Sequence, residues 1–520
     1  MKNKIYYVIL LSVVSFNGCN YLDTPYDNRT RIDSEDKIGK LLVSAYSDQS
    51  EWTLAEFSSD NADHILGSGW DVYDIIQQEA YLWQPATGIE QDTPDAVWEG
   101  CYKAIANANL ALESIKELET TLGITAQLRA YRAEALIARA YNHFVLANIF
   151  CMPYGSSSGS DLGMPYMEHV ENTVAPKYER GTLAQVYANI DKDIEAALPD
   201  IYDGFYAVPK YRFNRKAAYA FAARFNLYYR KYDKVIRYAN EVLGSDASAA
   251  CRNWSEARTL SPNGDERPNW FVGVANHATL LDQICHSLHP YNIGPYMISC
   301  KYALCGINAN TESVRANTPW GVYSLHNFQS GSYSQIPKIV VNKYASYFEY
   351  TDPVAQIGFP HIIQMNFSTD ETLLCRAEAE IMLGYNADAV ADMNTFMLKY
   401  AHDVTAKTQD IIVNFYNSMA YYTPFAPTAK KHIKNPDLAI QEGSVQENLL
   451  QCLLHIRRIL TVHEGLRWYD VKRMGIEIYR RDIQGTAIVA VTDSLKINDP
   501  RRAIQLPSSV ISAGIQPNPR

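Results

Sequence analysis

Two stretches of this chain read as copies of one another. Ala223-Arg224-Phe225-Asn226-Leu227 is followed by Val235, twelve residues after Ala223, and then by Asn240. Ala377-Glu378-Ala379-Glu380-Ile381 is followed by Ala389, twelve residues after Ala377, and then by Asn394. Each reads as a helix, a tight turn and a second helix, with small residues where the two must touch. That is the pattern of a tetratricopeptide unit. Arg132-Ala133-Glu134-Ala135 recurs as Arg376-Ala377-Glu378-Ala379, a further sign of repeated helices. One such unit cannot bury its apolar face alone, so the units must stack into a shared core.

Helix ends are legible around the copies. Thr93-Pro94 supplies an N-cap and a proline at the first helical position. A second helix spans about Ala126 to Ile149 and is stopped by Pro153-Tyr154-Gly155. A third opens on the capping-box pattern Thr182-x-x-Gln185 and ends by Pro199. Asn214 opens a fourth. Ser368-x-x-Glu371 opens one that stops at Gly384. Ser444-x-x-Glu447 opens another that runs to Gly475, with an interruption at Gly465. Between about residues 246 and 367 this periodicity fades, and Gly, Pro, Asn and Ser become frequent. That segment reads as irregular loops and short elements on a helical scaffold. So long a stretch is unusual in a compact domain unless it is functional.

The chain has 520 residues and 47% hydrophobic composition, which excludes disorder and allows a large core. Its formal charge is −10 and no basic run of five or more residues occurs, which argues against a nucleic-acid partner. The N-terminus reads as a leader. Lys2 and Lys4 precede an apolar stretch from Ile5 to Phe16, too short to span a bilayer. Phe16-Asn17-Gly18-Cys19 resembles a bacterial lipobox, which implies cleavage after residue 18 and acylation of Cys19. The eight cysteines beyond Cys19 lie far apart, with no zinc spacing. Cys300 and Cys305 are the one close pair.

No catalytic motif withstands its structural requirements. Gly155-Ser156-Ser157-Ser158-Gly159 matches Gly-x-Ser-x-Gly by letters, but a helix and a proline precede it where a strand is required. His463-Glu464 lacks a second histidine. Asp191, Asp193 and Glu195 read as the solvated face of an amphipathic helix. No metal or cofactor is called for.

Aromatic residues are the positive signal. The chain holds 37 Tyr against 16 Phe, a surplus that points to rings at wet surfaces. Tyr219, Tyr228, Tyr232 and Tyr238 fall at helical spacing and read as repeat packing; Trp83 and Trp98 read as core. Residues 285–350 concentrate tyrosines in a loop context, and Trp70, Asp71 and Tyr73 follow Gly67-Ser68-Gly69. Trp70, Asp71, Tyr73, Tyr296, Trp320 and Tyr323 are therefore the candidate ligand contacts. Sugars suit such surfaces, because their C–H faces stack on rings while polar side chains take the hydroxyls.

Together these motifs resemble the SusD/RagB family of outer-membrane lipoproteins. Cys19-x2-Leu22-Asp23-x-Pro25 resembles the family's start. Arg132 to Tyr141, continuing to Phe150-x2-Pro153-Tyr154-Gly155, resembles its helix ending in an aromatic-Gly loop. Leu373-Leu374-x-Arg376-Ala377-Glu378-Ala379 resembles its C-terminal repeat. Glu464-Gly465-x-Arg467-Trp468-Tyr469-Asp470-x2-Arg473 resembles its most specific signature, and Ile504 to Pro519 its ending. The resemblance implies a mainly α fold, with tetratricopeptide-like helix pairs forming a right-handed scaffold and a loop-rich ligand face. It implies a signal peptide over 1–18 and one domain over 19–520, with scaffold at about 94–245 and 368–475 and the ligand face at about 246–367. It also implies a non-enzymatic, surface-exposed glycan-binding lipoprotein that partners a SusC-like TonB-dependent transporter. Within the signature, Arg467 and Asp470 are expected to be buried or capping partners rather than glycan contacts. The rival readings are a helical-repeat protein that binds peptides or protein partners, and a glycoside hydrolase or lyase.

Overall fold

The computed structural model describes residues 32–67, 71–173, 176–261, 264–294, 301–321, 329–330, 338–401 and 403–520. It is mainly α. Helices α1 (Pro94–Leu122) and α2 (Ala126–Phe150) pack as a pair, and α3 (Leu183–Ala197) packs on α2. Next come the pair α4 (Arg215–Tyr228) and α5 (Tyr232–Leu243), and the pair α6 (Thr369–Leu383) and α7 (Asn386–Tyr400). Helix α6 packs on both α4 and α5, which joins the two sequence copies side by side. Helices α8 (Val445–Leu460) and α9 (Leu466–Arg473) follow.

The local signals act as expected. Thr93, Thr125, Thr182, Asn214, Ser368 and Ser444 each accept a first-turn backbone N–H through the side chain. The Thr182 backbone N–H in turn donates to Gln185 Oε1, which completes the capping box. Ala223, Val235, Ala377 and Ala389 are all fully buried where the paired helices touch. Gly465 divides α8 from α9 at φ +69, and a side chain there would strike Ala55 and the Trp52 backbone.

The tyrosine-rich α4–α5 pair is packing, with Tyr228 and Tyr238 each 4% exposed. The expected solvated face on α3 is only partly solvated. Asp193 is buried and takes a bidentate bond from Arg139, 2.7 Å at each oxygen. Helical spacing located that face, but the guanidinium reaching over from α2 was not visible in it.

The signature at 464–473 lies inside. Arg467 forks onto Asp60 at 2.7 and 2.8 Å, and Glu464 accepts from Lys343 and Tyr344. Asp470 joins Arg457 and Arg473, and Arg473 reaches Glu378 on α6. At the C-terminus, Asn518 donates to Phe150 and Ile504 carbonyls and accepts from Arg180, so the tail closes over the end of α2.

The 246–367 segment contains more regular structure than its composition indicates. Strand β1 (Asp63–Ile65) precedes the scaffold; β2 (Thr279–His286), β3 (Tyr302–Ala303), β4 (Tyr347–Asp352) and β5 (Ile357–Ser368) come from the segment, with β5 running one residue past it. β6 (Ile478–Gln484) and β7 (Ala487–Leu495) form a hairpin after α9. β2, β5 and β4 form an antiparallel sheet with β5 central. β3, β1, β6 and β7 form a mixed sheet in which β1 runs parallel to β6. Gly358 and Pro360 punctuate β5 and mask its strand character; the Pro360 carbonyl accepts the Ser287 N–H just past the end of β2.

Candidate functional site

The site is built where the short helix Ile75–Tyr81 meets the short helix His289–Ile293. Asp74 caps the first by accepting the Ile76 N–H, while the Gln77 side chain accepts the N–H groups of Tyr73 and Asp74. The same Gln77 donates to the Asn292 carbonyl at 3.0 Å. One buried amide thus fixes both backbones. The result is a stacked pair of rings, Tyr73 on Tyr291, with centroids 5.6 Å apart and planes 16° apart. Tyr73 remains 38% exposed, and Tyr291 is half-buried.

A polar pair lies beside the rings. Asp71 is exposed and meets Lys301 Nζ at 3.0 Å. The ammonium, together with the Val72 N–H, holds the Asp71 carboxyl below its ordinary range. Lys301 leads directly into β3, where Tyr302 stacks on His64 at 5.1 Å. His64 in turn bonds Asp482 of β6 at 2.8 Å. The mixed sheet therefore sets the position of Lys301 relative to the rings. A ring platform with an adjoining acceptor and donor can stack an apolar sugar face and bind its hydroxyls.

Of the residues singled out from sequence, Asp71 and Tyr73 come together here. Trp70, Tyr296 and Tyr323 lie outside the described residues, as does Cys300; Cys305 is a buried free thiol. Trp320 is not a surface ring. It is 1% exposed and part of the hydrophobic core, because the turn Thr318–Gly321 folds it inward. Its loop context concealed that burial. Tyr291 and Lys301 are contacts that the sequence does not single out. Tyr291 is one of many tyrosines clustered in residues 285–350, and Lys301 has no signal short of knowing which strand pairs with β1.

The Gly155–Gly159 stretch follows α2 and builds a turn, in which Ser158 Oγ accepts from the Gly155 N–H at 2.9 Å and is buried. It is not a strand-to-helix elbow.

Residues 20–227 match a family model for SusD-like proteins, described as starch-binding associating with outer membrane. Over that stretch this chain is similar to the SusD-like family. Solved SusD-type structures share its fold. A SusD superfamily protein of Bacteroides thetaiotaomicron superposes with a TM-score of 0.65 at 19% identity, over 94% of this chain and 100% of that one. A SusD superfamily protein of Bacteroides vulgatus gives 0.62 at 17% identity, over 93% and 98%. A SusD-like carbohydrate binding protein of Bacteroides vulgatus gives 0.57 at 15%, over 92% and 96%. At these identities the likeness establishes the SusD fold and not the ligand. No curated protein sequence matches the chain. Starch binding and outer-membrane association are what the description of that family model names.

Proposed function

We propose that this SusD-like protein captures oligosaccharide at the cell surface on the Tyr73–Tyr291 platform and passes it to a TonB-dependent outer-membrane transporter. The stacked pair flanked by Asp71 and Lys301 carries the reading, because it combines an exposed ring face with hydroxyl-binding groups on rigid supports. In this reading residues 1–18 are a signal peptide, Cys19 carries the lipid, and residues 19–520 form the mature domain. The protein binds without cleaving, so a polysaccharide incubated with it gains no reducing ends.

Calorimetry against a broad glycan panel tests the assignment. Tyr73→Ala is expected to weaken binding about tenfold, roughly 1.4 kcal/mol. The melting temperature should barely change, since the ring is partly exposed. Peptide binding with no glycan binding would sink the sugar reading. Cys19→Ser is expected to move the protein from the membrane to the soluble fraction, and membrane retention would count against the anchor.

A further inference from the structure

A second ring-lined face lies on the three-stranded sheet, separate from the Tyr73 platform. Between the start of α1 and the β2–β5 strands is an open groove of about 530 Å³. Phe359 of β5 packs against His286 of β2 in it, with ring centroids 3.7 Å apart. Asp48 and Lys103 pair across it at 2.8 Å, presenting an acceptor and a donor side by side. Gln49 closes the groove by bonding Asp48 and His286 at 3.3 and 3.4 Å. It lies close against α1 because residue 100 is glycine; a Cβ there would sit 2.7 Å from Gln49 Cγ.

The sheet register extends this face. His286 stands opposite His361, and His361 opposite Tyr347. Directly paired residues share a face, so the rings form a strip across three strands, roughly 10 Å at the usual strand spacing. Tyr347 and His361 stack at 5.5 Å and 25°. Glu349 stands opposite Phe359 on the same face and is exposed. The Nδ1 atom of His361 has no hydrogen-bond partner among the described residues. Burial depresses the His286 and His361 pKa values, which keeps both rings neutral near pH 7.

We propose that this groove and ring strip form a second saccharide-binding face, taking sugar rings on Phe359, His286 and His361 and hydroxyls on Asp48, Lys103 and Glu349. The proposal rests on the glycan-binding reading, and it gives the protein two places to hold one polymer chain. Retention in affinity gels containing neutral polysaccharides, amylopectin among them, tests it with Tyr73→Ala, Phe359→Ala and the double variant. Glu349→Gln serves as a milder variant should Phe359→Ala fail to fold. Support is a several-fold loss of retention in Phe359→Ala or Glu349→Gln, residual retention in Tyr73→Ala, and none in the double variant. Complete loss in Tyr73→Ala with Phe359→Ala and Glu349→Gln unchanged overturns the second face and leaves the first. Complete loss in Phe359→Ala with Tyr73→Ala unchanged supports this face and overturns the Tyr73 platform. Retention by none of the polysaccharides overturns both.

Discussion

The α4–α5 and α6–α7 pairs share spacing and buried small residues, yet at one equivalent buried position they carry opposite charges. Arg224 stands in the first where Glu378 stands in the second, one place after Ala223 and Ala377, respectively. The two are the ends of one ion chain. Arg224 meets Glu371 at 3.1 Å, Glu371 meets Arg457 at 3.3 Å, and Arg457 meets Asp470 at 3.3 Å. Asp470 meets Arg473 at 2.7 Å, and Arg473 bonds Glu378. The signs alternate and cancel. Burial opposes ionisation of Glu371, but the guanidinium groups of Arg224 and Arg457 outweigh it and hold the carboxyl below its ordinary range. Repeat geometry thus determines where the helices touch, and the divergent residues decide which neighbours they bind.

Breaking the chain in the middle is the strongest test of this comparison. Arg457→Ala leaves Glu371 and Asp470 short of a buried partner and should cost about 3–5 kcal/mol, read by chemical denaturation. A loss below 1 kcal/mol would mean that the two copies are held by apolar packing alone.

Asp92 is the contrasting case, a buried carboxylate with no cation paired to it among the described residues. Burial raises its pKa to about 7, against hydrogen bonds from Ser287 Oγ and the Leu288 N–H. The folded state therefore holds the proton more tightly than the unfolded state, whose value is about 3.9. That contribution to stability is present at low pH and is lost as pH rises from about 4 to about 7. Asp92→Asn should flatten the fall in melting temperature across this window. An unchanged profile would show that Asp92 does not titrate there.

The smallest effect concerns the turns. Gly384 has φ +83, and its equivalent in the first copy is Arg230 at φ +63. Arg230 is held there by Asp437 at 2.9 Å and the Tyr154 carbonyl at 2.8 Å. Gly384→Ala should cost about 1–2 kcal/mol, since its surroundings are open and only the left-handed backbone resists. Arg230→Gly relieves the same strain while losing a partly exposed ion pair, so its melting temperature should shift less. An equal or larger drop for Arg230→Gly would place the turn's stability in the side-chain contacts.

The sequence by itself determined the helices, their caps and the pairing of the two copies. Those signals are local: Thr93, Thr182, Ser368 and Ser444 act within one turn, and Ala223 and Ala377 act across one. It also pointed to Asp71 and Tyr73 through their loop context. Only the tertiary structure decided which rings face outward. Trp320 and Tyr73 both follow turn-forming residues, yet one is 1% exposed and the other 38%. The difference comes from what folds over each, and that depends on strands distant in the chain. The partners Tyr291 and Lys301 lie more than two hundred residues from Tyr73 and Asp71, respectively, joined through Gln77 and the β1–β3 pairing. The same holds for the ion chain, whose alternating charges are spread from residue 224 to residue 473. Caps and periodicity depend on near neighbours and are legible in order along the chain; burial and charge pairing depend on what folding brings together.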